Sequence, residues 1–311
     1  MGKQQHLISD SKYIDFIYDN KVKLLDAVIS DFKGFTLVIG VELEFYLLSQ
    51  GDKINKEDKV IDNFIAELSS QVNSRKIPIL AVEKEEGSGQ IEINTAPYLD
   101  IQNLCRDILL LKDLSKRVAK KFNLEASFVS QPFSDDRGSA LHVNLSLFDK
   151  DQNNIFNKKE GIESDLLLFS IAGVLQLINF AMIFFVPEEN DYIRYNRESN
   201  FKIFPPINIS WGYNNRTTTL RVPLNDKLNR GRRLELRAPV AGADIYMTII
   251  SFLIMINHGI KSKVRPIEPT YGNAFDKQYN LISLASSYHE AKQQFFESNN
   301  IILEKIKNYL S

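Results

Sequence analysis

Cysteine is nearly absent: Cys105 is alone in 311 residues. That excludes an internal disulfide and suits a reducing compartment. An excess of charge of either sign is also missing, since 38 basic and 39 acidic residues leave a formal net charge of -1. Such balance gives no electrostatic ground for a nucleic acid or an anionic membrane as partner. The opening residues, MGKQQHLISDSKYIDF, contain no apolar run of the secretory kind, and His6 breaks the myristoylation pattern. The expected location is cytoplasmic. No GxxxxGK[ST] loop, kinase glycine loop, repeat or low-complexity tract is present, and no cysteine is placed as a nucleophile. One long hydrophobic run does occur, Leu166 to Val186. It carries Ser170, Gln176 and Asn179 in its middle and acidic flanks at Asp165, Glu188 and Glu189. It is therefore expected to be a core helix rather than a membrane span.

Periodicity supplies the remaining elements. Residues 10–30 read as one polar amphipathic helix, and TLVIGVELEFYLL as a strand by its β-branched content. Helices are predicted over Asp58 to Ser74, Ile101 to Phe122, Ala243 to Gly259 and Leu281 to Tyr309. Strands are predicted from Pro78 through GSGQIEIN, in EASFVSQPF and SALHVNLSLF, and in TTLRVPL and RRLELRAP. The stretch Pro187 to Asn215 reads as irregular, and no linker interrupts the chain. The expected class is α+β, with strands and helices partly segregated.

Strands alternate their side chains between two faces. GVELEF places Glu42 and Glu44 on one face and Val41, Leu43 and Phe45 on the other. QIEIN collects Gln90, Glu92 and Asn94; HVNLSLF collects His142, Asn144 and Ser146; RLELR collects Arg233, Glu235 and Arg237. TLRVP sets Arg221 between Leu220 and Val222. An ordinary sheet with one wet face would explain any single strand. It explains the set less well, because these faces hold Glu, Arg and His but no Lys, and arginine is favoured where a carboxylate or phosphate is gripped by two parallel bonds. Crowded carboxylates need cations, and oxygen ligands with one imidazole suit Mg²⁺ or Mn²⁺ better than Zn²⁺. Guanidiniums beside such ions suit phosphoryl transfer, which rests on positioning and charge neutralisation.

Taken in order from Phe35 to Asp276, these segments resemble the catalytic domain of the glutamine synthetase family. GVELEFYLL resembles its opening strand, and EEGSGQIEIN its E-x-x-P-G-Q-x-E motif with Ser88 in place of Pro. SALHVNLSLF resembles the end of a G-x-G-x-H-x-H-x-S strand, NDYIR resembles N-x-Y-x-R, and WGYNNRTTTLRVP resembles W-G-x-x-N-R-x-x-x-x-R-x-P. RRLELRAPVAGADIYM resembles R-x-E-x-R and the helix leading to RPIEPTYGNAFD. The resemblance implies a glutamine synthetase/guanido kinase-like fold, a curved, mainly antiparallel sheet with a polar inner face packed by helices. It divides the chain into a helical segment, 1–34, and a catalytic domain, 35–311. It implies one Mg²⁺ or Mn²⁺ on Glu44, Glu85 and Glu92 and a second on Glu42, His142 and Glu235. Arg194 and Arg237, with the Gly138 backbone and His142, would bind a glutamate-like acid. Arg216 and Arg221 would serve catalysis by neutralising the transferred phosphate, and Arg194 would count with them as catalytic. Ser146, Asn144, Arg230, Arg233 and Arg221 would lie along ATP. The implied reaction activates the glutamate side-chain carboxylate as an acyl phosphate, which ammonia or another amine then takes up.

This chain departs from the family pattern in four places. The family carries a β-grasp domain of roughly a hundred residues before the opening strand, where about forty helical-looking residues stand here. The acceptor is therefore left as ammonia or a larger amine, and the assembly as a homo-oligomer other than the usual double ring. The flap acid falls near Asn200 or Phe204, with Glu198 the nearest carboxylate. Asn144 stands where the family has a second His. Arg137 stands where it has an Asn before Gly138, and reads either as a solvated loop residue or as a substrate contact. His6, His258 and His289 are expected to be structural, Glu83, Lys84 and Glu86 solvated or peripheral, and Trp211 a packing residue beside the site. Two alternatives to a ligase are a nucleotide- or amino-acid-binding regulatory protein and a kinase-like enzyme that phosphorylates without ligation.

Overall fold

A computed structural model describes residues 10–195, 205–224, 231–297 and 299–311. Its centre is β1 (Thr36–Ser49), a 14-residue strand. The sheet runs β3 (Ile79–Lys84), β4 (Gln90–Thr95), β1, β6 (Leu141–Phe148), β9 (Leu234–Leu236), β8 (Leu220–Val222), β7 (Trp211–Tyr213). Short strands β2 (Asp52–Lys53) and β5 (Glu125–Ser127) also pair with β1. Every pairing is antiparallel except β7 with β8, which is parallel. This is the expected mainly antiparallel sheet.

The alternation works as read. Leu37, Ile39, Val41 and Leu43 of β1 are buried with Ile91, Ile93, Val143, Leu145, Leu147, Leu234 and Leu236 in one core. Helices α3 (Lys59–Ser74) and α4 (Ile101–Lys121) add Phe64, Leu68, Leu104, Ile108 and Leu111 to it. Both start at an aspartate, Asp58 and Asp100, whose side chain accepts an otherwise unmatched N–H. The most apolar helices, α5 (Asp165–Phe185) and α6 (Ile245–Ser262), lie against each other. Each is long and apolar enough to cross a membrane, yet each is mostly buried within the protein. The polar Asn179 of α5 is satisfied there: its Nδ2 donates to the Ser283 carbonyl at 3.1 Å and its Oδ1 accepts the Ala285 N–H at 3.1 Å.

Three expected elements differ. Residues 10–30 form two helices, α1 (Asp10–Asp19) and α2 (Lys21–Ser30), because Asn20 interrupts them. Its side-chain amide donates to the Phe16 carbonyl at 2.8 Å, a local bond that competes with helix continuation. Residues 281–309 form α7 (Tyr288–Phe295) and α8 (Ile301–Leu310) rather than one helix. Ser287 and Asn300 cap their starts, and the segment before them bonds to Ile207 and Ile209 instead. The predicted strand over EASFVSQPF is confined to β5. The irregular stretch holds a 3-10 helix, Glu189–Tyr195, as well as β7.

Asp31, at the end of α2, ties the helical layer together. Its Oδ2 accepts from Asn257 of α6 at 2.7 Å and from the Tyr309 hydroxyl of α8 at 2.9 Å. Burial pushes the Asp31 carboxyl up, but the Tyr309 bond and the nearby Lys261 and Lys305 outweigh it and hold it below its usual range. A depressed carboxylate stabilises the fold above its unfolded pKa, and that contribution is lost as pH falls through the folded value. Asp31→Ala should cost about 1–2 kcal/mol near neutral pH. The gap from the parent, followed by urea unfolding, should close as pH falls below about 4.

Candidate active site

Strand register lays out the polar face in rows. Glu42 of β1 stands between Asn94 of β4 and His142 of β6. Glu44 stands beside Glu92, which stands beside Glu83 of β3. Asn144 lies between Gly40 and Glu235, and Glu235 lies opposite Arg221. Side chains facing one another across strands in this way are in contact range.

Two acid-rich groups result. Glu44, Glu85 and Glu92 bring one oxygen each within 4.8 Å of one another, and Glu42, His142 and Glu235 do the same with a ring nitrogen included. Their electrostatics differ. In the first group, burial and then the Glu42 and Glu44 charges push the Glu92 carboxyl up to about 8. Burial, with Glu44 and Glu86, raises Glu85 as well. The negative charge there exceeds what the neighbouring side chains neutralise. In the second group the charges have partners. Burial acts to raise Glu42, but a 3.1 Å contact with His142 Nδ1 and a bond from Asn144 at 3.0 Å hold it well below the usual range. Glu235 is fully buried, and its two oxygens accept from Arg221 at 2.7 Å and Arg237 at 2.5 Å.

A cavity of about 230 Å³ opens over these groups, lined among others by Glu44, Glu85, His142, Arg194, Arg216 and Arg237. Arg194 comes from the 3-10 helix, where its Nη1 donates to the Ser139 carbonyl. Arg194 and Arg237 are both buried, and among the described residues the Nε of each has no hydrogen-bond partner. Gly138 is needed at the wall, since a Cβ there would lie 2.8 Å from the Ser130 carbonyl and 3.3 Å from the Arg194 side chain. A second cavity, about 370 Å³, adjoins Glu42 and is lined by Asn144, Ser146 and Arg233. There Arg233 Nε donates to Asn144 Oδ1 at 2.7 Å, and the Ser146 hydroxyl donates to the Arg232 carbonyl at 2.9 Å. The polar strand faces therefore converge as expected. Arg230 and the flap positions Glu198, Asn200 and Phe204 lie outside the described residues.

In sequence Gln90 is one polar residue on a strand face and the Gln of the E-x-x-P-G-Q-x-E-like motif. The structure makes it a junction. Its Nε2 donates to Glu44 at 3.3 Å and to the Gly138 carbonyl at 3.1 Å, while its Oε1 accepts the Gly87 N–H at 3.0 Å. The signal was available in its fixed spacing from Glu92, but the partners come from loops whose approach no strand pattern encodes. Asp191 is a second such residue. It is buried and accepts the Ser130 N–H at 3.2 Å, bracing the loop whose Ser130 carbonyl abuts Gly138.

A family model described as "Glutamine synthetase, catalytic domain" matches residues 23–310. The chain belongs to the glutamine synthetase family. It is 28% identical over 292 residues to a gamma-glutamylputrescine synthetase of Escherichia coli (strain K12), covering 86% of this chain and 60% of that protein. It is 29% identical to a glutamate–isopropylamine ligase of Pseudomonas sp, covering 85% and 61%. A glutamine synthetase of Clostridium saccharobutylicum is 30% identical, with 83% and 61% covered. The chain thus spans about 60% of the length of these relatives. Among solved structures, GmaS in an ADP complex superposes with a TM-score of 0.79 at 23% identity, covering 91% of this chain and 69% of that one. Ligand-free GmaS gives the same TM-score. The sheet and its helices are therefore the fold of this family.

Proposed function

We propose that the chain carries the catalytic domain of an ATP-dependent, Mg²⁺- or Mn²⁺-dependent carboxylate–amine ligase. It would join a glutamate-like acid to an amine and work as a homo-oligomer. One observation carries this reading: Glu44 and Glu85, two of the crowded carboxylates, line one cavity together with the buried guanidinium side chains of Arg194 and Arg237. Glu44, Glu85 and Glu92 fit a hard divalent cation, because their crowding raises two of them toward the protonated form when only side chains are present. Glu42, His142 and Glu235 would hold the second ion, with Glu235 shared between it and two arginines. Bound there, the ions would polarise phosphoryl and carboxylate oxygens.

The remaining work falls to side chains. Arg194 and Arg237 line the cavity beside the Gly138 wall and would bind the acid's carboxylate there. Arg216 and Arg221 bring positive charge to the reacting end and offset the charge of the moving phosphoryl group. Arg233, Ser146 and Asn144, with Arg230, would contact the nucleotide beside the second cavity. The acid's carboxylate oxygen takes the γ-phosphoryl group and ADP leaves. The amine nitrogen then bonds to the acyl carbon, and phosphate departs with the C–O electron pair. The relatives' names share a glutamyl donor and differ in the amine, so the donor is the steadier part of the assignment.

The test is ADP release with glutamate, Mg²⁺ and a panel of amines. Absence of ADP release across a panel of acids and amines would sink the reading. Arg194→Lys should raise the KM for the acid roughly 10- to 100-fold with a smaller effect on kcat, since an ammonium cannot hold the Ser139 carbonyl and offer a planar second donor. An unchanged KM would remove Arg194 from the acid site.

A further inference from the structure

We propose that the amine acceptor carries a carboxylate of its own, that is, an amino acid, and that Arg137 receives it. The proposal rests on the ligase reading above. Arg137 Nη2 lies 2.5 Å from Glu86 Oε2, and both residues line the cavity that holds Arg194 and Arg237. Their side chains are 30% and 56% exposed, against 10% for Arg237, so the pair stands at the cavity mouth.

Two loops carry this pair, and they are braced to each other. The Arg137 carbonyl accepts from the hydroxyl of buried Tyr46 at 2.7 Å. Asp136 accepts the Ser88 N–H at 3.1 Å, and Lys53 lies 2.5 Å from Asp135 and 3.7 Å from Asp136. Gln90 joins the same loops from inside through Gly87 and Gly138. The Arg137 backbone is thus anchored, which limits where its guanidinium can reach, and Glu86 is the more exposed member of the pair.

A half-exposed ion pair contributes little to stability. Its position matters more. The deep guanidiniums suffice for the acid, so the mouth is left to the acceptor's trailing end. A trailing carboxylate can replace Glu86 on Arg137 in a like-for-like exchange of one carboxylate for another. Glu86 then turns to water. Ammonia has no trailing group to use the site, and a trailing ammonium meets the anchored guanidinium as a like charge. Chemically the step is the one above: the amino acid's nitrogen, uncharged, bonds to the acyl carbon, phosphate leaves with the electron pair, and the nitrogen's proton passes to solvent.

The experiment follows ADP and phosphate release with glutamate and Mg²⁺, using ammonium, alkyl monoamines, diamines and amino acids as acceptors, with products identified by mass. Amino acids are expected to give the highest kcat/KM. Arg137→Gln should raise their KM at least 10-fold, leaving kcat, the KM for glutamate and the melting temperature unchanged. Arg137→Lys should restore part of the loss, and Glu86→Gln should leave the amino-acid KM equal or lower. A KM for amino acids indifferent to Arg137→Gln overturns the proposal while leaving the ligase reading intact. So does a preference for diamines abolished by Glu86→Gln. No ADP release with any acceptor overturns both.

Discussion

Replacing Glu44 with Gln is expected to reduce metal-dependent turnover by roughly 100-fold or more while the chain stays folded. Glu44 is the most enclosed of its acid group, buried beside Glu85 and Glu92. Its Oε2 also accepts the Ala140 N–H at 2.9 Å and a bond from Gln90. An amide oxygen can keep the Ala140 bond, so the local structure survives. What is lost is one of the three negative charges proposed above to hold a divalent ion. The Mg²⁺- or Mn²⁺-induced rise in melting temperature should shrink in the same variant, giving a readout independent of turnover. Full activity would remove Glu44 from the metal assignment. Nucleotide binding in the parent with no turnover under any condition would favour a regulatory role instead.

The largest loss of stability is expected at Gly259. A Cβ on Gly259 would sit 2.0 Å from the Phe169 carbonyl oxygen, and one on Gly173 would sit 2.2 Å from that of Met255. Both obstacles are backbone atoms of the facing helix, so no rotamer change relieves them. Helices α5 and α6 must move apart, and they form the most apolar part of the core. Alanine gains up to about 1 kcal/mol of helix propensity over glycine. Overpacking typically costs about 1–3 kcal/mol, and a backbone clash with no rotamer escape falls at the upper end, so the clash wins. Gly259→Ala should lower the urea midpoint clearly, and Gly173→Ala should do likewise. A midpoint unchanged in both would mean that the helices are not in backbone contact.

The polar site was largely legible in the sequence because a strand exposes alternate residues, and that rule needs no knowledge of partners. Glu42 and Glu44, Glu92, His142, Glu235 and Arg237 were all assigned to a face by period alone, and the sheet brings those faces together. Register was not legible. That Glu235 is shared between Arg221 and Arg237, or that Asn144 bridges Glu42 and Arg233, depends on which residues stand opposite one another. Glu85 lies beyond the end of β3, in a loop, and only the family motif singled it out. The helix errors have a similar origin. Periodicity continues across Asn20 and across residues 281–287, but a side-chain amide interrupts the first helix and a pair of backbone bonds to residues 207 and 209 keeps the second segment out of α7.

The layout of β1 also bears on how the chain is made. Glu42 meets His142 across a separation of 100 residues, and every partner of β1 follows it in the chain. A nascent chain therefore exposes TLVIGVELEFYLL well before β6 is available to cover it. Long apolar strands left unpaired are templates for intermolecular pairing, and charges set within them interrupt it. Glu42 and Glu44 are the only charges in that run. On that principle Glu42 and Glu44, which later line the two cavities, would also interrupt intermolecular pairing of the strand during synthesis.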